Sequence, residues 1–419
     1  MRAILGKEGT HVHNFIYLQR KDIKMARKEV AIKFLNNIGI YIHLPFCYKK
    51  CWYCDFYSIV YNEKIMQTYI EAVCKELMFY KNCKKQVRSI YFGGGTPSLL
   101  EPKAISKIIT KIKQTFDVSP NAEVTIETNP ELLTENLAYN LRIRGINRIS
   151  IGAQSFSERD LQFLKREHSP QQTQKAIKIA KKQGFSNISV DFILGLPLQT
   201  SKQFDDAATC AKEAGVSHIS GYILKLESNC CRHIELLSEG ETCDIYESFA
   251  AAMNAHYFKQ YEISNFSIEN KACIHNLGYW QCEEYIGIGP AAHSYFNGTR
   301  YHVIADINAY ILNLRSANHR STLPPHLQKT TSNLSPSPSL YVVDDCNYFE
   351  EYVMLGLRLN SGININKLLA IDLNRGTKLL ANLKKKKELM KVIVINNDRL
   401  FLTLKGFLVS NYVITSLLY

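Results

Sequence analysis

From residue 38 onward, short β-branched runs alternate with longer stretches whose apolar residues recur at helical spacing, the pattern of β/α units on a parallel sheet. The predicted strands are IGIYIH (38–43), RSIYFG (88–93), EVTIET (123–128), NRISIG (147–152), ISVDFI (188–193) and HISGYI (218–223). Between the second and third, EPKAISKIITKIKQTF (101–116) sets Ile105, Ile108, Ile109 and Ile112 on one helical face. Six such units predict an α/β fold, a partial or open (β/α)6 barrel over residues 38–225. Working residues in a β/α barrel gather at the C-terminal ends of the strands. Cys47 follows the first strand, Gly93, Gly94 and Gly95 end the second, Glu127 ends the third, Gln154 follows the fourth, and Asp191 lies in the fifth. That placement predicts a site assembled at one mouth.

The texture changes after about residue 315. STLPPHLQKTTSNLSPSPSL is rich in Ser, Thr and Pro and reads as a linker over 316–345. Residues 1–37 form an N-terminal extension, and 226–315 an accessory region. Beyond the linker, FEEYVMLGLRL reads as a helix, VIVINNDRLFLT as two strands around Asn396, Asn397 and Asp398, and KGFLVSNYVITSLL as a closing helix. Residues 346–419 are therefore expected to form a small C-terminal α+β domain, winged-helix-like. Such a domain can bind DNA, but the lysine run at 384–387 is read as a solvated face, and no nucleic-acid partner is expected.

Composition changes this picture little. Hydrophobic residues make up 46% of the 419, ordinary for a chain that buries a core. The net charge of +13 suits an acidic partner without identifying one. Twelve cysteines scatter widely apart from one cluster, which argues against a disulfide scaffold and for a reducing compartment. No apolar run approaches the length of a signal peptide core or a membrane span, so a cytoplasmic location is expected.

The cluster is HLPFCYKKCWYCDF, residues 43–56, where Cys47, Cys51 and Cys54 stand in C-x3-C-x2-C spacing. Structural zinc is four-coordinate and closed, and no further CxxC or HxxxH pair lies at a convincing spacing. Three thiolates instead suit an iron–sulfur cluster, with one iron left for an exogenous group.

C-x3-C-x2-C after a first β-strand resembles the signature of radical S-adenosylmethionine (SAM) proteins. In that superfamily the amino and carboxylate groups of SAM chelate the unique iron of a [4Fe–4S] cluster. YIHLPFC, YFGGGTPSLL, ETNPE, RISIGAQSF, DFILGLP, YEISNF, HNLGYW, YIGIGPAAHS and LTLKGFLVSN, in this order, are similar to the HemW branch of the oxygen-independent coproporphyrinogen III oxidase-like family. The resemblance implies that Cys47, Cys51 and Cys54 hold the cluster. It also implies that Tyr41, Tyr53, Gly94, Gly95, Thr96, Glu127, Gln154, Arg166 and Asp191 contact SAM. Each has a plausible chemistry. Glycines let the backbone approach a ligand, Glu127 can accept from ribose hydroxyls, Gln154 both donates and accepts, and Arg166 offers a fork for a carboxylate. Taken singly, each is as readily a structural polar or packing residue.

The enzymes of the wider family carry a further cysteine two residues past the third cluster cysteine, and this chain has Phe56 there. The motif CDF is the form of the branch regarded as binding haem and passing it to acceptors. The resemblance therefore implies a haem chaperone, with an acceptor protein, an electron donor and transient membrane association where acceptors reside. Coproporphyrinogen III oxidation is the alternative. HNLGYW places His275 beside Tyr279 and Trp280, a prospective iron ligand next to aromatics that could stack on a macrocycle. Read alone, His275 is equally a hydrogen-bonded structural histidine, and His293 is a second candidate. The chain lacks C-x-x-C-H, so covalent haem attachment is not supported. Two departures from the family pattern stand out: Cys230 and Cys231 after Glu227, and Pro290–Ala291 where small residues including glycine are preferred.

Overall fold

The computed structural model describes residues 37–226, 236–315, 324–325 and 340–419. Residues 1–36 of the N-terminal extension, the Cys230–Cys231 loop and most of the linker lie outside these described residues, and Asn37, assigned to the extension, opens the first strand.

Six parallel strands carry the core: β1 (Asn37–Leu44), β2 (Gln86–Gly94), β3 (Asp117–Thr128), β4 (Arg148–Gln154), β5 (Asn187–Leu194) and β6 (His218–Ile223). Because successive side chains in a strand point to opposite faces, each strand divides its residues by polarity. Ile40, Ile42, Phe92, Ile126, Ile151 and Val190 are fully buried, whereas the intervening Tyr41, Tyr91, Glu127, Ser150 and Asp191 share the other, polar face.

Helices connect the strands. They are α1 (Glu63–Leu77), α2 (Pro102–Thr115), α3 (Glu135–Ile143), α4 (Glu158–Phe163), α5 (Pro170–Lys182) and α6 (Ser201–Ala214). Their limits follow from local chemistry. Pro102 starts α2 where a missing N–H costs nothing, and Ser169 and Gln172 cap α5 reciprocally. Gly215 ends α6 at φ 81°, in the left-handed region that glycine enters freely. Ile105, Ile108, Ile109 and Ile112 are the buried face of α2.

The sheet does not stop at six strands. After α7 (Glu239–Ala255) come β7 (Lys259–Gln260) and β8 (Asn265–Ser267), then α8 (Ile274–Trp280). These lead to β9 (Tyr285–Ile288), β10 (His293–Phe296), β11 (Thr299–Val303), α9 (Ile307–Arg315) and β12 (Tyr341–Asp344). Among the described residues the sheet has twelve strands in the order β12-β11-β10-β9-β1-β2-β3-β4-β5-β6-β8-β7. β9 pairs parallel to β1, with Gly39 opposite Tyr285, and the flanking strands are antiparallel. An open sheet with a parallel centre is thus longer at both edges than the six predicted units. Runs as short as YIGI carry too little periodicity to announce a strand.

Residues Asn37–Cys346 form one compact unit, and the described residues Asn347–Tyr419 belong to another. The second contains α10 (Tyr348–Gly356), β13 (Ile363–Asn364), α11 (Ile365–Ile371), α12 (Leu373–Lys385), β14 (Ile393–Asn396) and β15 (Arg399–Leu402). Two closing helices follow, α13 (Leu404–Leu408) and α14 (Ser410–Leu418). Its three strands pair antiparallel in the order β13-β15-β14, and Asn397 turns the β14–β15 hairpin at φ 53°. Helix, strand, two helices and a hairpin is the succession of a winged helix. Leu368, Leu379, Leu400 and Val413 are buried in its core. In the lysine run, Lys384, Lys385 and Lys387 are exposed, while Lys386 donates to the Ser416 carbonyl at 2.8 Å.

Candidate functional site

The cysteine loop leaves the C-terminal end of β1. Cys47 closes a two-residue strand, Phe46–Cys47, that pairs with Ile59–Val60, so the loop between them begins and ends on paired backbone. Trp52 and Tyr53 pack against Leu164, Ile193 and Leu196, which hold the loop across the ends of β4 and β5. Trp52 also meets Phe163 edge-on at 5.6 Å. All three thiols are free and partly accessible. Burial raises the pKa of Cys54, and the nearby Cys51 and Cys47 act in the same direction, as three thiols on one small loop must.

The glycines of β2 form the floor. The Gly95 N–H donates to the Leu44 carbonyl at 2.9 Å and the Thr96 N–H to the Phe46 carbonyl at 2.7 Å. A Cβ on Gly95 would stand 2.6 Å from the Phe46 oxygen and 3.0 Å from Cys47 Sγ, so only glycine fits under the first thiol. The Thr96 hydroxyl points at the same sulfur, 3.6 Å away. Gly94 has φ 115°, and its N–H donates to Glu127 Oε2 at 3.2 Å.

Glu127 also accepts from the Tyr91 hydroxyl at 2.8 Å. Burial pushes its carboxyl up to about 7 against these two hydrogen bonds, so near neutrality it shares its time between acid and carboxylate. Each of its oxygens keeps a lone pair for a further donor. Tyr41 lies beside Tyr91 and donates to His43 Nδ1 at 3.0 Å. The assignment follows from the other ring nitrogen, which lies 2.9 Å from the Tyr57 carbonyl and can only donate there. Burial lowers the His43 pKa to about 4, which fits a neutral ring with that single tautomer.

On the far side, Arg166 donates to Cys51 Sγ at 3.3 Å and to Asn129 Oδ1 at 2.9 Å. Its Nε is buried without a hydrogen-bond partner. Burial opposes its charge, but Tyr53, Cys51 and Glu131 outweigh burial and raise its pKa. Cys51, Trp52, Thr96, Asn129, Glu131 and Arg166 line part of a cavity of about 310 Å³, at the small end of ligand pockets. Gln154 sits at φ 65° after a break in the β4 ladder, with its amide over Gly152. Asp191 lies deeper. It accepts from Ser150 at 3.0 Å, from Ser189 at 3.4 Å and from Ser220, and burial raises its pKa. Those bonds occupy most of the carboxylate's acceptor capacity.

The aromatic motif is elsewhere. His275, on α8, packs over Gly39 and Ser89, residues in the N-terminal half of β1 and β2, away from the cysteines. It is 3% exposed, with Nδ1 2.9 Å from the Ser89 hydroxyl and Nε2 2.7 Å from the Tyr279 hydroxyl. Burial, with Arg88 and Arg148 nearby, takes its pKa down to about 3. In this geometry His275 is a neutral, doubly bonded interior histidine, with Tyr279 engaged and Trp280 partly buried at the end of α8. His293 is largely exposed on β10, and Ala291 before it adopts φ 63°, a conformation glycine would take more easily.

Several site residues escape a motif-based reading: Tyr91, His43, Asn129, Arg148 and the serines around Asp191. The signal was present as polar residues at every second position of strands that are otherwise β-branched, such as Ser89 and Tyr91, Arg148 and Ser150, or His218 and Ser220.

Known proteins resemble this chain over its length. A family model for the radical SAM superfamily matches residues 41–211. The heme chaperone HemW of Mycobacterium tuberculosis is 31% identical over 395 residues, 91% of this chain and 94% of that protein. The heme chaperone HemW of Synechocystis is 31% identical over 364 residues, covering 84% and 85%. Among solved structures, coproporphyrinogen III oxidase (HemN) from Escherichia coli, a radical SAM enzyme, superposes with a TM-score of 0.73. It spans 94% of this chain and 93% of its own at 18% identity, a likeness of fold. With three free cysteines past the C-terminal end of β1 and matches running through nearly all of both chains, this protein belongs to the HemW family of the radical SAM superfamily.

Proposed function

We propose that this protein is a haem chaperone, which binds haem and passes it to an acceptor protein. The observation that supports it most is the match to relatives named heme chaperone HemW along almost the whole chain. Phe56 agrees, being 61% exposed at the position where the porphyrinogen-oxidising relatives are expected to place another cysteine.

Within this reading Cys47, Cys51 and Cys54 hold a [4Fe–4S] cluster, and SAM lies beside it. The fit is supported by the glycine cradle under Cys47 and by the chemistry of three convergent thiols. When bound, cluster and SAM supply one-electron chemistry that the chain's own side chains lack. The protein's part is to bind and orient. Gly94 and Gly95 would let backbone groups approach the SAM amino group, Glu127 would accept from the ribose, and Arg166 would offer a guanidinium donor to the carboxylate. Tyr41, Tyr53, Thr96 and Gln154 border the ligand, and Asp191 braces the interior through its serines. His275, Tyr279 and Trp280 remain the haem residues of the proposal. Ligation by His275 would require one ring nitrogen to give up its hydroxyl partner, Tyr279 or Ser89. The setting is the cytoplasm, with an acceptor protein, an electron donor and transient contact with membranes that hold acceptors. No described helix is long and apolar enough to cross a membrane.

The test is anaerobic haem titration of the cluster-loaded protein, in parallel with an assay of coproporphyrinogen III conversion in the presence of SAM and reductant. Stoichiometric haem binding, weakened at least tenfold in His275→Ala with iron content unchanged, and no porphyrinogen conversion are expected. Conversion without specific haem binding would overturn the proposal.

A further inference from the structure

Away from the cysteine loop, three adjacent strands bring two histidines and an aspartate together. The hairpin β10–β11 is closed by Asn297 and Gly298, both at positive φ (51° and 73°), the backbone that a tight two-residue hairpin requires. That turn fixes the register in which His293 stands directly opposite His302. On the other side of β11, β12 sets Asp344 opposite Arg300, two residues from His302 and on the same face. The imidazole rings lie 5.0 Å apart. His302 Nδ1 is 3.1 and 3.2 Å from the two Asp344 oxygens, and His293 Nδ1 is 3.9 Å from Asp344 Oδ2. One ligand atom from each residue falls within 4.8 Å of the others.

We propose that His293, His302 and Asp344 form a binding site for one divalent transition-metal ion. A simple ion pair accounts for His302 and Asp344 but leaves no reason for a second imidazole beside the first. With both rings on one face beside the carboxylate, a cation can take the place of the proton that His302 Nδ1 donates to Asp344. Arg300, two residues from His302, lies over the Tyr295 ring and donates to the Tyr285 hydroxyl at 3.1 Å. Two imidazoles and one carboxylate suit zinc or iron(II), whereas calcium and magnesium prefer oxygen alone. Bonds of about 2.0–2.2 Å need the side chains to draw in by about an ångström, which side-chain rotation allows on strands whose backbones are already paired. His293 is on the exposed side, so solvent or another ligand completes the coordination. The ion would fasten β12, the edge strand of the sheet, to the β10–β11 hairpin. None of these residues belongs to the cysteine loop or to the Ile274–Trp280 helix, and a metal here takes up His293, the second haem candidate.

The test uses full-length, cluster-loaded protein equilibrated with zinc and then desalted. Zinc and iron are counted per chain, and the zinc environment is read by X-ray absorption. One zinc beyond the cluster iron is expected, with a nitrogen and oxygen shell carrying histidine scattering. Its affinity should fall at least tenfold in both His293→Ala and Asp344→Asn, with iron content preserved. No retained zinc, a sulfur shell near 2.3 Å that marks capture by thiolates, or unchanged affinity in both variants would each overturn the site. Should a variant lose its cluster iron through misfolding, the absorption spectrum of the unaltered protein decides alone.

Discussion

At the scale of single residues, the site depends on one position where a side chain cannot exist. Gly95 supports Cys47 from below, and a methyl group there would meet a backbone oxygen rather than a movable side chain. Gly95→Ala should therefore displace the Phe46–Cys47 segment, at a cost of about 1–3 kcal/mol, and lower the iron held after anaerobic reconstitution. Full iron content in that variant would show that the loop tolerates the shift. His275 carries a different expectation. Its removal opens a cavity and leaves the hydroxyls of Ser89 and Tyr279 without their partner. His275→Ala should thus destabilise the haem-free protein by about 2–4 kcal/mol in a denaturant titration. A variant as stable as the parent would mean that the histidine is held for ligation rather than for packing.

At the scale of elements, α1 is tied to the sheet extension through a buried acid. Glu76 is fully buried and accepts from the Gly289 N–H at 3.0 Å, Tyr310 at 2.6 Å and Tyr341 at 2.7 Å, so one carboxyl joins α1, the β9 exit, α9 and β12. Burial raises its pKa from 4.5 to about 7, against the three hydrogen bonds. A carboxyl raised in this way binds its proton more tightly in the folded chain. Its contribution is complete below the unfolded value and is lost as pH rises through the folded one. Between pH 5 and 8 the protein should lose stability, with Glu76 contributing about 1–3 kcal/mol of the loss. Glu76→Gln should reduce the slope by about half in thermal melts at several pH values, leaving the comparable part due to Glu127, whose pKa is also about 7. An unchanged slope would place the titration elsewhere.

At the scale of the whole molecule, the sheet and every residue of the cysteine site lie within Asn37–Cys346, a unit separate from Asn347–Tyr419. A fragment of residues 37–346 should then fold and reconstitute about as much iron per chain as the full protein, because a compact unit with its own core is expected to fold alone. Loss of iron binding in a soluble fragment would show that the core needs the C-terminal unit.

Much of this architecture was written in local pattern. The β-branched runs and the glycines ending β2 announce a parallel sheet with a working mouth, because strand period and turn chemistry are properties of neighbours in sequence. C-x3-C-x2-C, and Phe56 in place of a further cysteine, could be read in the same way. What neighbours cannot specify is partnership at a distance. That β9 lies against β1, that Arg166 reaches Cys51 from 115 residues away, and that His275 meets Ser89 inside the sheet rather than at its mouth were decided by packing alone. The same holds for His293, His302 and Asp344, which are scattered in sequence and become a cluster only through strand register. Chemistry resides in residue type and spacing, but which groups face one another is set when the chain closes its core.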